Sequence, residues 1–544
     1  MVLPTTSKSQ KIIFIFVFIF CLFIQLIPVI RSGLHYDYGV GFWGSNGHDG
    51  IWHLSLINHI DNPLKINMPI FSGESLKNYH PFFNILIAYL SKYTFIDSSI
   101  WLFQIFPTLS AIIFLYFSFL LGWKLSKSFF GGLLLVILNS ISNSLGWIVN
   151  LIRFGTLDGE SLFWAMQSPS NQLNPPFMLS ILLILILIYI LKTNKASKIS
   201  IFLILSLLPI IKVYSAIPAY IIFFFYVLKN RTYLKTLLMS LLFALILFFQ
   251  YNSNSASLIK FQPFWFINSM MESKDRLFLP KIANIRYTLE ASNRIGPRLI
   301  VYYLATLSIF LVGNFSWRLL SVKEFKKNKA IFVSILICTL IPILFVQKGT
   351  TWNTIQFLYY ALFLANIPLS QYLSKHRHLA YLVIILSLIP LYGSLPNYLG
   401  KIPPTAISKE EFRALSFLKQ QPSGNVLTYP YDPYLKESFL KTPLPIYAYE
   451  TTSYVAAYSG HSTFLEDEMN LDNSSFDWRS RRQEAEDFFT QKDKYQNRGT
   501  LVNNKINYIY LPKIYLKNIP EFTSEMSLTP IFDNSEIVIY KVNR

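Results

Sequence analysis

The chain has 544 residues, of which 52% are hydrophobic and only 14% are charged. Soluble domains carry about 25% charged residues, so this composition excludes an ordinary soluble protein. The apolar residues cluster in runs of about 20, the length that crosses the hydrocarbon core of a bilayer. Both cysteines, Cys21 and Cys338, lie inside such runs, which argues against a disulfide framework and a cysteine metal site.

The net charge of +19 is unevenly distributed. Residues 1–396 hold 31 Lys and Arg against 11 Asp and Glu, whereas residues 397–544 hold 17 against 18. The basic excess therefore belongs to the apolar part of the chain. Such an excess indicates membrane topology, and we expect no nucleic-acid partner.

Apolar runs predict an α-helical polytopic membrane protein with about eleven spans. We read the first run as a retained helix, because it is too long and apolar for an ordinary signal peptide. Pro209 and Lys212 interrupt the stretch 199–228, which leaves two short helices meeting near one surface as an alternative. The predicted spans are 11–30, 101–122, 129–149, 177–191, 199–211, 213–228, 233–250, 299–316, 330–346, 353–373 and 379–396.

Lys and Arg in short loops mark the cytoplasmic side of a membrane protein. The basic short loops here include Lys124/Lys127, Arg318 through Lys329, and Lys375/Arg377, which predicts a cytoplasmic N-terminus. Of the 11 acidic residues in 1–396, only Glu324 falls in these loops. The pattern predicts a multi-pass protein of the cell membrane whose functional residues lie on the outer face, where the long segments are found. Those segments are 31–100, 150–176, 251–298 and 397–544.

The first outer segment contains GHDGIWH, which brings His48, Asp49 and His53 together in sequence. A helix that begins near Asp49 would carry Asp49 and His53 at positions i and i+4, on one face. Asp49 has two compatible interpretations: it caps this helix, or its carboxylate accepts a proton from an incoming hydroxyl or amine. His48 and His53 are candidate metal or acceptor contacts.

Further along, GESLKNYH precedes an apolar stretch, 80–93, that is typical of an amphipathic helix in the membrane interface. Tyr79 is a candidate substrate-lining residue, and His80 is a candidate contact for a metal or an acceptor; a solvated patch is the alternative. In the second outer segment, Asp158 and Glu160 belong either to a solvated loop or to a pocket for a sugar, since Trp, Phe, Gln and Asn surround them.

The third outer segment, 251–298, is basic although it is predicted to lie outside, so topology does not account for its charge. Arg and Lys there are candidates for binding a phosphate at the membrane surface, and general attraction to anionic membrane lipids is the alternative. The candidates are Lys274, Arg276, Arg286, Arg294 and Arg298, together with Lys348 from a later loop. Trp352, Asn353 and Gln356, at the start of the span 353–373, are candidate substrate-lining residues.

The tail has a soluble pattern. SKEEFRALSFLKQ (408–420) has a serine cap followed by Glu411, and RSRRQEAEDFF (479–489) also reads as a helix. Alternating segments at 425–431, 506–512 and 536–542 predict strands. We therefore divide the chain into a transmembrane domain, 1–396, and a soluble α+β domain, 397–544, on the outer face. The segment 453–468, rich in small and polar residues, is a candidate rim for acceptor selection.

Three features together resemble the GT-C glycosyltransferases, polytopic enzymes that use lipid-phosphate sugar donors. They are the first-loop aspartate in GHDGIWH, the stretch from KNYHPFFNIL through the Phe-Pro of the second span to GWKL, and the soluble outer domain after the last span. The resemblance covers the architecture of most of the chain and motifs over about 80 residues. Many members carry an acidic pair where this chain has Asp49 followed by Gly50.

The resemblance implies that Asp49 is the catalytic acid of the first loop, acting as general base or orienting the acceptor. It also implies a polyprenyl-phosphate sugar as donor, a glycan, lipid or protein as acceptor, contact with membrane lipids, and inversion at the transferred sugar. It implies no particular cofactor, and a divalent metal ion is the alternative. Two other classes stay open: a transporter or flippase of lipid-linked sugars, and a non-catalytic cell-envelope scaffold.

Overall fold

The fold is that of a computed structural model, which describes residues 7–193, 197–252, 259–292, 296–490, 494–518 and 528–543. The contacts divide the chain into two compact units. The first, here called the helical unit, comprises 1–28, 107–249 and 255–399. The second, here called the mixed unit, comprises 29–106, 250–254 and 400–544. The sequence-based division placed 31–100 with the transmembrane domain, whereas the contacts group it with the tail.

Helices build nearly all of the helical unit, and each of the eleven predicted spans coincides with a helix or a pair of helices. The helices are Lys8–Leu26, Phe106–Ser126, Phe129–Ile141, Gly146–Phe154, Pro175–Thr193, Lys198–Ile211, Val213–Lys229, Leu234–Tyr251, Trp265–Glu272, Pro280–Ala291, Pro297–Phe315, Lys329–Leu344, Gln356–Leu373, Arg377–Ser394 and Pro396–Leu399. Strands Ile259–Phe261 and Phe345–Gln347 pair antiparallel in the same unit.

Six helices in the described part of the chain are long and apolar enough to cross a membrane. They are Lys8–Leu26, Ser98–Ser126, Pro175–Thr193, Arg231–Tyr251, Pro297–Glu324 and Arg377–Leu399. Large apolar side chains on them face outward; Phe16, for example, is 74% exposed. So much exposed apolar surface is stable in lipid but not in water. The chain is therefore a membrane protein, while the count of eleven spans stays a prediction.

The span predicted at 129–149 corresponds to two helices with a break between them. Helices Phe129–Ile141 and Gly146–Phe154 meet at a bend of 48°, and counting them as one span raises the number of spanning helices to seven. Polar residues 142–144 occupy the break between the two helices. The backbone N–H of Ser144 donates a hydrogen bond to Oδ1 of the neighbouring Asn143. Short polar side chains compete with the helical ladder in this way.

Arg318 is also not the exposed loop cation that the charge pattern suggested. It is 2% exposed and donates hydrogen bonds to Asn366, Gln167, Ser142 and Ser168 at 2.9–3.3 Å. The predicted cytoplasmic loops do meet elsewhere, because Lys375 and Glu324 form an ion pair.

The mixed unit contains two sheets. In the smaller one, strands His35–Tyr36, Gly39–Phe42, Thr405–Ser408 and Leu444–Pro445 lie in that order. The pairing of Gly39 with Ser408 explains why the first outer segment groups with the tail. Gly39 has φ +125, and a Cβ there would lie 2.0 Å from the carbonyl oxygen of Ile407. Only glycine allows the two strands to approach so closely.

The larger sheet holds Leu528–Asp533, Ile537–Val542, Ile506–Pro512, Asn425–Thr428 and Ser462–Thr463, in that spatial order. The predicted tail strands and both predicted tail helices are confirmed, and the Ser408 side chain accepts from the Glu411 N–H at 3.0 Å as the cap predicted. The α-helices of the unit are Asp49–Asn58, Phe82–Thr94, Ser98–Ile100, Lys409–Lys419, Ile446–Tyr449, Tyr454–Ser459, Glu468–Asn473, Arg479–Thr490 and Lys494–Asn503.

Candidate functional site

Asp49 begins the helix Asp49–Asn58 in the mixed unit, and its side chain is 52% exposed. An acidic residue in the first turn is stabilised by the partial positive charge of the helix N-terminus. The Nδ1 atom of His48 lies 3.0 Å from Oδ1 of Asp49. The carboxylate is therefore held at a defined position while remaining accessible to a ligand.

His48 is held from its other side as well. Its Nε2 atom lies 3.2 Å from Oδ1 of Asp467, whose side chain is fully buried. The same Asp467 accepts from the backbone and the side chain of Asn470. Asp467 has φ +49, a left-handed conformation that costs free energy for most residues and is concentrated at functional sites.

The electrostatic balance favours a charged imidazolium at His48. Burial opposes the charge, but the Asp467 and Asp49 carboxylates outweigh that effect and hold the pKa of His48 well above its ordinary value. A protonated ring donates from both nitrogens, one to each carboxylate. His48 thus links the buried Asp467 to the exposed Asp49 and fixes one oxygen of Asp49.

A third carboxylate, Glu450, stands near this group. Partial desolvation raises its pKa, and the charges of His48, Asp49 and Asp467 also act on it. Glu450 and Asp467 both line a cleft of about 450 Å³, measured to include its opening to solvent. The arrangement offers an oriented, accessible carboxylate beside a cleft, which is what proton abstraction from an acceptor requires.

Other residues predicted in the first outer segment lie near this group but have structural contacts. His53 is on the same helix as Asp49, as predicted, but its Nδ1 is 2.9 Å from Oδ1 of Asn84. Tyr79 accepts a hydrogen bond from Trp52 at 3.1 Å, and its ring packs against that of His80. Their proposed contacts with acceptor, metal or substrate stay predictions.

Asp158 and Glu160 lie in the helical unit, and both are held within their own region. Asp158 accepts from Asn150 and Thr156 at 2.8 and 2.6 Å. Glu160 accepts from the Gln167 N–H at 2.7 Å and the Ser170 hydroxyl at 2.8 Å. Loss of hydration raises the pKa of Glu160 to about 7 despite those hydrogen bonds.

The predicted phosphate-binding cations fall into two groups. Arg286 forms ion pairs with Glu272 at 2.6 Å and Glu290 at 3.4 Å, and Arg276 pairs with Asp275 at 3.1 Å. Acidic partners already compensate these two charges. The second group consists of exposed cations: Lys274, Arg298 and Lys348. Arg294 lies outside the described residues.

The polar residues predicted before the span 353–373 lie at the start of the helix Gln356–Leu373, in the helical unit. Trp352 is 44% exposed, and Gln356 donates to Asn353 at 3.1 Å. This hydrogen bond ties the single-turn segment Thr351–Ile355 to the first turn of the helix.

The divalent metal ion that the resemblance left open stays a prediction. Within the described ranges, no group of three or more His, Cys, Asp and Glu side chains is arranged to hold a metal ion. Both ring nitrogens of His48 face carboxylates, those of Asp49 and Asp467. This arrangement favours a proton on each nitrogen over coordination of a metal ion. We therefore assign no metal-dependent step to these residues.

The sequence interpretation missed Asp467 and Glu450 as partners of Asp49. A signal existed for Asp467, because FLEDE closes the segment 453–468 that was predicted to form a rim. Nothing in the sequence linked that segment to His48, which lies 419 positions earlier.

No protein-family model matches the sequence, and no curated protein matches it. Among solved structures, the arabinofuranosyltransferase AftD from Mycobacteria aligns at a TM-score of 0.51 and 10% identity, over 99% of this chain and 40% of that chain. The oligosaccharyltransferase AglB from Archaeoglobus fulgidus aligns at 0.41 and 11%, over 94% and 70%. ArnT from Cupriavidus metallidurans, bound to undecaprenyl phosphate, aligns at 0.39 and 11%, over 98% of each chain.

The likeness to AftD shows that the two proteins share a fold, and this chain spans less than half of the AftD chain. This likeness shows the fold alone, so membership of the GT-C glycosyltransferases stays a prediction.

Proposed function

We propose that this protein is a glycosyltransferase that moves a sugar from a polyprenyl-phosphate donor to an acceptor on the outer face of the membrane. One observation carries the proposal: a half-exposed carboxylate, Asp49, lies 3.0 Å from Nδ1 of His48, and Nε2 of the same ring lies 3.2 Å from the buried Asp467. A carboxylate so placed, in a chain with the fold of a membrane arabinofuranosyltransferase, is suited to activating an acceptor.

In the proposed reaction, the acceptor oxygen attacks the anomeric carbon of the donor sugar while its proton passes to Asp49. The bond from that carbon to the phosphate oxygen breaks, and the polyprenyl phosphate leaves with the electron pair. Attack opposite the leaving group inverts the anomeric carbon. His48 positions Asp49 and is not itself consumed.

The leaving phosphate carries negative charge that cationic side chains stabilise. Among the candidates in the helical unit, exposed Lys274, Arg298 and Lys348 suit this role better than Arg276 and Arg286. The latter two already pair with carboxylates, and binding a phosphate would require those ion pairs to break. Arg294 lies outside the described residues, and its proposed role in binding the phosphate rests on the sequence.

Transport of lipid-linked sugars is the second candidate, because transporters carry charged residues within their spans. Lys212 and Arg318 are both buried in the helical unit. Arg318, however, directs its three nitrogens to neutral oxygen acceptors, which is the pattern of a structural cation. The glycosyltransferase proposal therefore ranks first.

The test is a transfer assay with the full chain in detergent or membranes. Radiolabelled polyprenyl-phosphate mannose, glucose and arabinose are offered as donors, and label is followed from lipid to acceptor. Asp49→Asn is compared with Asp61→Asn, an exposed acid just past the same helix. We expect Asp49→Asn to lower the rate by about 10²–10⁴-fold, the range for loss of a general base, and Asp61→Asn to leave it unchanged.

Equal transfer by wild type and Asp49→Asn would assign the chemistry to other residues. If wild type transfers none of the donor sugars but moves labelled donor across a vesicle membrane, the transport candidate replaces the proposal.

A further inference from the structure

The cleft beside Asp467 lies entirely within the mixed unit and has an unusual lining. Six tyrosines, four acidic residues and three threonines contribute to its wall, and the space between them, counted with its opening to solvent, is about 450 Å³. The lining residues are Thr428, Tyr429, Tyr431, Tyr447, Glu450, Thr451, Thr452, Tyr454, Leu465, Glu466, Asp467, Glu468, Tyr510, Pro512 and Tyr515.

The tyrosines give the cleft flat aromatic walls. The rings of Tyr429 and Tyr515 stack with centroids 3.9 Å apart and planes at 16°. Tyr429, Tyr431 and Tyr447 are each half-buried, so part of each ring faces outward. An aromatic ring with a phenolic hydroxyl offers an apolar face and a hydrogen-bonding edge together, which matches the apolar faces and polar rims of a pyranose or furanose ring.

One polar atom in the wall lacks a partner. Thr452 is only 5% exposed, and its Oγ1 makes no hydrogen bond within the described structure. A buried hydroxyl without a partner is costly, and such groups call for an explanation that often lies in a ligand or water. Thr452 belongs to the cleft wall, so a ligand hydroxyl that reached this oxygen would satisfy it.

Although four acids line the cleft, most of their charge is compensated. Asp467 contacts His48, and Glu468 pairs with Arg482 at 2.7 Å. Glu466 accepts from the N–H groups of Val455 and Ala456, and burial raises its pKa to about 8, so it is mainly neutral at pH 7. Glu450 is the remaining exposed acid. A cleft so close to neutral favours an uncharged polar ligand over a cation.

We propose that this cleft binds a neutral saccharide, which forms the acceptor of the transfer reaction. The tyrosine walls would stack on sugar rings, while Thr452 and Glu450 would hydrogen-bond their hydroxyls. The cleft joins the candidate catalytic group through Asp467, which lines it and also contacts His48. The assignment as acceptor rests on the proposed glycosyltransferase function, whereas saccharide binding itself is measured separately.

The experiment measures binding to the full chain in detergent by saturation-transfer NMR and titration. The probes are five neutral trisaccharides, namely mannotriose, maltotriose, cellotriose, arabinotriose and triacetylchitotriose, with spermidine as a cationic probe. Tyr431→Ala and Thr452→Val alter the wall. Tyr495→Ala is the matched control, since Tyr495 is a 91% exposed tyrosine of the same unit that does not line the cleft. Thermal unfolding of every variant identifies any that fails to fold.

We expect at least one trisaccharide to bind wild type, and both wall variants to weaken that binding about tenfold, while the control binds as wild type does. Thr452→Val is nearly isosteric, so it keeps the test valid if Tyr431→Ala does not fold. The proposal is overturned if no trisaccharide binds, if both folded wall variants bind like wild type, or if spermidine binds in place of the sugars.

Two further readouts separate this inference from the proposed function. Asp49→Asn is expected to retain trisaccharide binding while losing transfer, and the bound trisaccharide is expected to receive label from the donor in wild type. If trisaccharides bind but no transfer is seen, the proposed glycosyltransferase function and the acceptor role are contradicted. The proposal that the cleft binds a saccharide would still hold. Transfer with no trisaccharide binding would contradict the site alone.

Discussion

His48 and Asp467 lie 419 positions apart in sequence, yet Nε2 of His48 is 3.2 Å from Oδ1 of Asp467. The buried carboxylate raises the pKa of His48 and so favours the charged imidazole, whose Nδ1 lies 3.0 Å from Oδ1 of the exposed Asp49. Asp467 is therefore a positioning residue in the proposed mechanism, because its effect reaches the acceptor only through His48.

Replacing Asp467 with Asn tests this positioning role. Asn keeps the size of the side chain but removes the charge that raises the pKa of His48, so the ring loses its proton at lower pH. We expect transfer to fall about tenfold or more at pH 8 and to recover partly near pH 6. Rates from pH 5.5 to 9 provide the measurement, with Asp477→Asn, an exposed acid of the same unit, as control. An unchanged pH profile would contradict the role.

The raised pKa of His48 also predicts a pH dependence of stability. Because the pKa in the folded state lies above the unfolded value of about 6.5, the charged histidine stabilises the fold fully below that pH. The contribution is lost as the pH rises through the folded pKa. Thermal unfolding of wild type and His48→Gln should therefore differ most near pH 6 and least at high pH. A difference that grows with pH would refute the charged state of His48.

The buried acid Glu411, in the core of the tail, predicts a second pH dependence of stability. It is fully buried, Tyr510 donates to it at 3.2 Å, and desolvation raises its pKa to about 8. The unfolded chain releases this proton near pH 4.3 but the folded chain keeps it, so wild type loses stability as the pH rises from about 4.3 to 8. Glu411→Gln should reduce that loss, measured by thermal unfolding across the range, while Glu410→Gln on the helix surface should not.

Arg318 organises the polar interior of the helical unit. Its guanidinium reaches four separate acceptors, a geometry that the single ammonium of lysine cannot reproduce. We expect Arg318→Lys to lower the free energy of unfolding by about 1–3 kcal/mol, since buried acceptors lose their donors. Denaturant unfolding in detergent measures the change, and Arg231→Lys, at an exposed position, is the control. Equal stability of the two variants would show that Arg318 is dispensable.

Exposed cations of the helical unit are predicted to bind the donor phosphate. Arg298→Gln and Lys348→Gln should each raise the KM for the polyprenyl-phosphate donor several-fold, with a smaller effect on kcat. Lys229→Gln, an exposed lysine on the predicted cytoplasmic side, is the control. Arg286→Gln should instead lower stability by breaking its two ion pairs with Glu272 and Glu290. A KM that stays constant in both exposed variants would remove these residues from the site.

The sequence by itself determined the local elements and the membrane character of this protein. Helix formation at the apolar runs follows from hydrophobicity and length, and the tail helix at Lys409–Lys419 follows from its Ser408 cap and apolar spacing, because both depend on neighbouring residues. The helix beginning at Asp49 was predictable for the same reason. Asp49 itself stood out because an acid beside two histidines follows the first span.

Only the tertiary structure decided which side chains meet. The sheet pairing of Gly39 with Ser408 joins segments more than 360 positions apart, and the contact of His48 with Asp467 lies within the same unit. The burial of Arg318 likewise depends on acceptors from separate segments, Asn366 on a helix and Gln167 in a loop. Such contacts form because packing and hydrogen bonding between distant segments together lower the free energy of the folded state. A local sequence pattern cannot indicate a partner that lies hundreds of residues away.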